Sequence, residues 1–87
     1  DLPSFRFTSK YVFLTYPRCP LTKDEVLEML STRLTPFLIY FIAVSCELHQ
    51  DGTPHLHCLI QLDKRPYIRN PSFFDIGEHH PNIQPAR

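Results

Sequence analysis

The chain has 87 residues, 43% of them hydrophobic, and its nine basic and nine acidic side chains cancel to no net formal charge at pH 7. A chain this short forms one small domain and excludes a second within it, because it buries only about 60 to 65% of its unfolded surface. The neutral balance counts against strong non-specific DNA binding by counterion release, no apolar run reaches membrane-spanning length, and no signal-peptide pattern opens the chain.

Residues 1–9 read as an extended lead-in, followed by a strand over residues 10–16 that is rich in β-branched and aromatic side chains. Pro17 and Pro20 end it. Thr22 then begins a helix, with Glu25 completing a capping box and Val26, Leu27, Leu30 and Leu34 forming the apolar stripe. Thr35-Pro36 stops that helix. Residues 38–62 read as a hairpin of two long strands around Asp51-Gly52, a strong turn signal. Residues 63–70 are polar, basic and turn-prone. Ser72 to Ile76 predicts a short strand or a turn of helix anchored by its aromatics, and residues 81–85 an edge strand bounded by prolines.

The hairpin carries the chemistry. From His55 onward the chain alternates polar and apolar, so His55, His57, Leu59 and Gln61 share one face and Leu56, Cys58, Ile60 and Leu62 the other. Tyr40, Ile42, Val44, Cys46 and Leu48 likewise share a face, leaving Glu47 and His49 opposite. A register in which paired residue numbers sum to 104 places Glu47 across from His57 and His49 across from His55; a one-residue slip would spoil both faces. The pattern therefore predicts a metal site of Glu47, His55 and His57, with His49 and Gln61 as neighbours able to orient the ligands. Two histidines and a carboxylate leave zinc open beside harder divalent ions. His79-His80 is a weak candidate, since adjacent strand residues face opposite ways.

The three cysteines, Cys19, Cys46 and Cys58, include no C-x-x-C pair, which argues against a disulfide scaffold or zinc ribbon and for a reducing compartment. The same register sets Cys46 across from Cys58, both read as small core hydrophobes. Arg6, Lys10, Arg18 and Lys23 stand in an N-terminal stretch without acidic residues between positions 2 and 23, interleaved with Phe5, Phe7, Tyr11, Phe13 and Tyr16. That mixture suits phosphate pairing and base stacking, although a core strand would account for some of the aromatics.

Taken in order, Phe13-Leu14-Thr15-Tyr16, Glu47-Leu48-His49, Pro54-His55-Leu56-His57 with Gln61, Phe73-Phe74-Asp75-Ile76 and His80-Pro81-Asn82-Ile83-Gln84 form a series. It resembles the N-terminal endonuclease domain of geminivirus replication-initiator (Rep) proteins, members of the HUH class of single-stranded DNA nickases. The resemblance implies an α+β fold, a central antiparallel sheet with helices on one face and the other face left for DNA. It implies that Phe13 to Tyr16 takes part in recognising origin DNA, with Arg6, Lys10, Phe13, Thr15, Tyr16 and Arg18 as DNA-binding residues. By the same similarity Glu47, His55 and His57 hold Mg²⁺ or Mn²⁺.

The activity so implied is nicking and rejoining of origin DNA through a 5′-phosphotyrosine link during rolling-circle replication. The setting would be the host cell nucleus, with single-stranded origin DNA as partner, no membrane, and a full-length protein that self-associates. The family's nucleophile is a tyrosine followed three residues later by lysine. Tyr11, Tyr16, Tyr40 and Tyr67 are followed at that spacing by Leu14, Cys19, Ala43 and Asn70, so residues 1–87 read as a single domain lacking the helix that carries it. The rival reading is a non-catalytic single-stranded DNA-binding module with a structural metal ion. A histidine-triad hydrolase is excluded by Leu59, and a zincin by the lack of H-E-x-x-H.

Overall fold

The structure, a computed structural model, describes residues 4–86; the first three residues of the expected lead-in lie outside them. Strands β1 (Tyr11–Tyr16), β2 (Ile39–Leu48), β3 (Pro54–Leu62) and β4 (Asn82–Pro85) and helix α1 (Lys23–Arg33) follow in the order β1-α1-β2-β3-β4. The strands form one antiparallel sheet ordered β2-β3-β1-β4. This is the expected α+β arrangement, and α1 packs on the face opposite His55 and His57.

Helix α1 starts where its capping chemistry requires. Thr22 Oγ1 accepts from the Glu25 amide at 3.1 Å, and the Glu25 carboxylate accepts from the Thr22 amide at 2.9 Å. These bonds satisfy amide donors that have no partner within the helix, and the bond from the Thr22 amide, with the nearby Thr22 hydroxyl, holds the Glu25 carboxyl below its ordinary pKa. Val26, Leu30 and Leu34, four residues apart, are buried. They meet Val12, Leu14, Leu56, Cys58, Ile60 and Leu62 from the sheet in a single core.

Strand β2 departs from simple alternation. Ile39 pairs with Leu62 and Phe41 with Gln61, so a bulge falls at Tyr40. The extra residue turns Ile39 toward the core and leaves Tyr40 63% exposed, which removes it from the apolar row its sequence position predicts. β2 is also an edge strand, and beyond Val44 nothing among the described residues covers its underside. Leu48 is 69% exposed, and Cys46 is exposed, paired with Leu56 rather than with Cys58. Cys58 instead lies across from Val44 and is buried.

The remaining wall of the core is irregular chain. Phe7 and Ile68 exchange backbone hydrogen bonds at 2.9 and 3.0 Å, tying the lead-in to the segment after β3. Residues 71–74 form turns, settling the choice left open for Ser72 to Ile76, and they drive Phe74 into full burial with its ring edge-on to Phe7 at 6.1 Å. Burial of a phenyl side chain of this kind stabilises by about 1.5–3 kcal/mol. Gly77, at φ +56°, sits in the tight turn that lets Ile76 and His79 exchange hydrogen bonds.

Tyr16 joins the two walls. It is completely buried, and its hydroxyl donates to the Phe74 carbonyl at 2.6 Å; burial pushes its ionisation far above the ordinary phenol value. Tyr16→Phe strands that carbonyl and should cost about 1–3 kcal/mol in urea unfolding; an unchanged midpoint would show that the bond contributes nothing. Burial likewise raises the Cys19 thiol, and pushes Cys58 up to about 12. At pH 8, 5,5′-dithiobis(2-nitrobenzoate) should therefore label one thiol per native chain, Cys46, and all three after denaturation. Rapid native labelling of more than one would contradict this packing.

Candidate metal centre

Strand β3 is paired on both sides, to β2 and to β1. Burial of Leu56, Cys58, Ile60 and Leu62 beneath it turns His55, His57, Leu59 and Gln61 to the opposite, open face. Glu47 stands on that face of β2, while Phe13 and Thr15 stand on it from β1.

The strand pairing differs from the expected one. Glu47 lies across from His55 and Ser45 across from His57, so paired numbers sum to 102 rather than 104. The cause is the turn. His49 and Thr53 are linked by a backbone bond of 3.0 Å, Gly52 N donates to His49 O at 2.8 Å, and Gly52 takes φ +85°. The loop is thus residues 50–52, a three-residue type in which a left-handed glycine closes a turn. Asp51 Oδ1 holds it by accepting from Thr53 N at 3.0 Å and Thr53 Oγ1 at 2.7 Å. A shift of two preserves face parity, so Glu47, His55 and His57 still share the open side.

Two of the three donors face each other: His57 Nε2 is 3.9 Å from Glu47 Oε1. Ligand atoms bound to one octahedral ion at about 2.1 Å each stand roughly 3–4 Å apart, so this gap is one that an ion spans. The third donor is turned aside. The His55 ring stacks on His49 with centroids 3.4 Å apart, and among the described residues no three His, Cys, Asp or Glu side chains converge as they stand. His55 nevertheless lies directly across from Glu47, on the face it shares with His57. Partial desolvation, followed by the charges of His49 and His57, holds His55 below its ordinary pKa. That favours the neutral imidazole a metal requires.

The neighbours sort themselves by position. His49 packs on His55. Gln61 does not serve that role: it is four residues along β3 from His57, opposite Tyr11, about 13 Å away at strand rise. Thr15 lies directly across from His57, and its Oγ1 is 3.3 Å from His57 Nδ1. Phe13 stacks on the His57 ring at 5.6 Å with planes 10° apart.

The expected DNA-contacting residues fall in separate places. Phe13 and Thr15 are on the open face. Tyr16 is not available to DNA, since strand alternation sends it into the core where Phe74 holds its hydroxyl. Arg18 is exposed on a left-handed turn of φ +52°, beside the start of β3, where the following Cys19 N donates to Pro54 O at 3.1 Å. Arg6 and Lys10 line a groove of about 460 Å³ together with Tyr11 and Arg65.

Arg65 and Arg69 were not singled out from sequence, although residues 63–70 read as basic. Arg65 donates to Thr8 O at 3.2 Å and Arg69 to Phe5 O at 3.2 Å, so the Phe7–Ile68 bridge assembles one cationic edge from two distant segments. Tyr67 is exposed within it, and Arg69 stacks over its ring at 5.8 Å.

Residues 5–87 match the family described as the Geminivirus Rep catalytic domain. The chain is 63% identical over 84 residues to the replication-associated protein A of bean yellow dwarf virus, covering 97% of this chain and 29% of that protein. It is equally similar, at 63%, to the replication-associated protein of tobacco yellow dwarf virus, covering 97% of this chain and 25% of that one. Replication-associated protein A of Miscanthus streak virus is 53% identical over 98% of this chain and 39% of its own length. The chain thus spans a quarter to two fifths of these relatives. With that match running from Phe5 through both histidines of β3 to the end, the chain belongs to the geminivirus Rep catalytic domain family.

Proposed function

We propose that this chain is the metal-binding, origin-recognising part of a viral replication endonuclease, which nicks and rejoins single-stranded DNA during rolling-circle replication. The observation that carries it is the shared open face of Glu47, His55 and His57, with Glu47 across from one histidine and 3.9 Å from the other. Membership of the Rep catalytic domain family supports the same reading.

Glu47, His55 and His57 would hold a divalent ion, Mg²⁺ or Mn²⁺, which when bound supplies Lewis-acid polarisation of the scissile phosphate. The chain's own residues do the rest of the binding. Phe13, Tyr11 and Leu59 give the open face an apolar surface beside the site, suited to the faces of unstacked bases. Arg6, Lys10, Arg65 and Arg69 offer cations to the phosphates along one edge, while Arg18 stands near the hairpin tip. Their clustering explains how a chain of no net charge still presents an electropositive surface.

Nicking needs a phenolic oxygen that bonds to phosphorus as the bond to the 3′ oxygen breaks, leaving a 3′ hydroxyl and a 5′-phosphotyrosine. None of the tyrosines of this chain is placed for that. Tyr16 is buried with its hydroxyl engaged, Tyr11 lies four strand residues from Thr15 and hence about 13 Å along the sheet, Tyr40 lies at the bulge near the start of β2, at the far end of that strand from Glu47, and the Tyr67 hydroxyl accepts from Arg69 at 3.2 Å in the cationic edge. We assign the nucleophile to sequence outside these 87 residues. For residues 1–87 alone, this placement favours binding without cleavage.

His57→Ala should abolish Mn²⁺ uptake measured by calorimetry, and wild-type affinity in that variant would remove the site. Incubated with Mn²⁺ and a labelled single-stranded origin oligonucleotide, the 87-residue chain should form no covalent adduct on a denaturing gel. An adduct would show that one of its own tyrosines is the nucleophile.

A further inference from the structure

The open face holds a contact that the metal reading does not by itself require. His57 sits on a strand paired on both sides, and Thr15 of β1 is its direct cross-strand partner. Both side chains point to the open face by strand parity. Thr15 Oγ1 lies 3.3 Å from Nδ1 of His57, a hydrogen-bond contact at the long end of the distance range. Phe13 covers the face of the same ring at 5.6 Å and nearly parallel, and the far nitrogen, Nε2, points to Glu47. The ring is therefore defined on one edge by a hydroxyl, on its flat side by an aromatic, and on the other edge by the carboxylate.

We propose that Thr15 is the positioning residue of this site. Its hydroxyl oxygen accepts from Nδ1–H of His57 and so holds the imidazole in the tautomer whose Nε2 lone pair is free on the Glu47 side. A neutral imidazole carries one proton, and the nitrogen that keeps it cannot ligate a cation. Left to itself in water, the ring prefers to keep the proton on Nε2, the wrong nitrogen here. An acceptor at Nδ1 reverses that preference, and ligand histidines in metal sites characteristically donate their second ring N–H to such an acceptor. Thr15 Oγ1 is the hydrogen-bond partner of Nδ1 among the described residues. Because β1 and β3 are hydrogen-bonded neighbours in the sheet, the contact is set by strand register.

The proposal rests on Glu47, His55 and His57 forming the cation site, but its first test needs no cation. Long-range ¹H–¹⁵N spectra of the metal-free chain report which nitrogen of His57 is protonated. We expect Nδ1–H in the wild type and a shift toward Nε2–H in Thr15→Val, which keeps the shape and β propensity of threonine without the hydroxyl. Mn²⁺ affinity should fall about tenfold to a hundredfold in T15V, and Thr15→Ser should restore both tautomer and affinity. A wild-type His57 in the Nε2–H form overturns the proposal, as does T15V retaining either the wild-type tautomer or the wild-type affinity. Should T15V not fold, the wild-type tautomer decides alone. Failure of the wild type to take up Mn²⁺ would instead overturn the metal reading, leaving the tautomer comparison to decide whether Thr15 orients His57.

Discussion

Along β3, alternate side chains from Leu56 onward enter the core while those between them face the open side, and the strand is hydrogen-bonded on both edges. It cannot shift by one position without burying two imidazoles and exposing Leu56, Cys58, Ile60 and Leu62, an exchange costing several kcal/mol of apolar burial alone. The site depends on this constraint. The apolar side anchors the strand against α1, Phe74 and Ile76, and the anchored strand holds His55 and His57 where β2 and β1 can reach them. The fold and the candidate centre are two faces of one pairing.

The open face is itself divided. Toward the hairpin it is polar, with Glu47, His55, His57 and Thr15; toward the other end it carries Phe13, Leu59, Phe41 and Tyr11, the last three exposed by 40% or more. Contiguous exposed apolar side chains of this kind are characteristic of interaction surfaces. The cationic edge made by Arg6, Lys10, Arg65 and Arg69 borders the apolar end, since Tyr11 lines the same groove as Arg6, Lys10 and Arg65. The candidate metal centre, the apolar platform and the cationic edge thus follow one another along a single surface.

Much of this was readable residue by residue. Thr22 and Glu25 announced the helix start through their reciprocal bonds, and Val26, Leu30 and Leu34 its buried stripe. The alternation around His57 identified which side chains share its face, and the distances on that face are consistent with it. The errors have particular causes. Tyr16 reads as surface in a stretch of basic and aromatic residues, yet its hydroxyl is claimed by Phe74, 58 positions away. Cys46 and Leu48 read as core from their apolar row, but nothing among the described residues covers that end of an edge strand. Tyr40 left the same row because a bulge displaced it.

The sequence by itself determined the faces, since alternation along a strand and capping at a helix are local consequences of backbone geometry and neighbouring side chains. Tertiary structure decided which residues meet across those faces. Glu47 was paired across the strands with His55 rather than with His57 because Gly52 closed a three-residue loop, moving the register by two without disturbing parity. Thr15 met His57, and Arg65 and Arg69 joined Arg6 and Lys10, through pairings between segments more than forty residues apart. Such contacts are chosen by the volume the core must fill and by the backbone bonds it must satisfy, quantities that no short stretch of sequence contains.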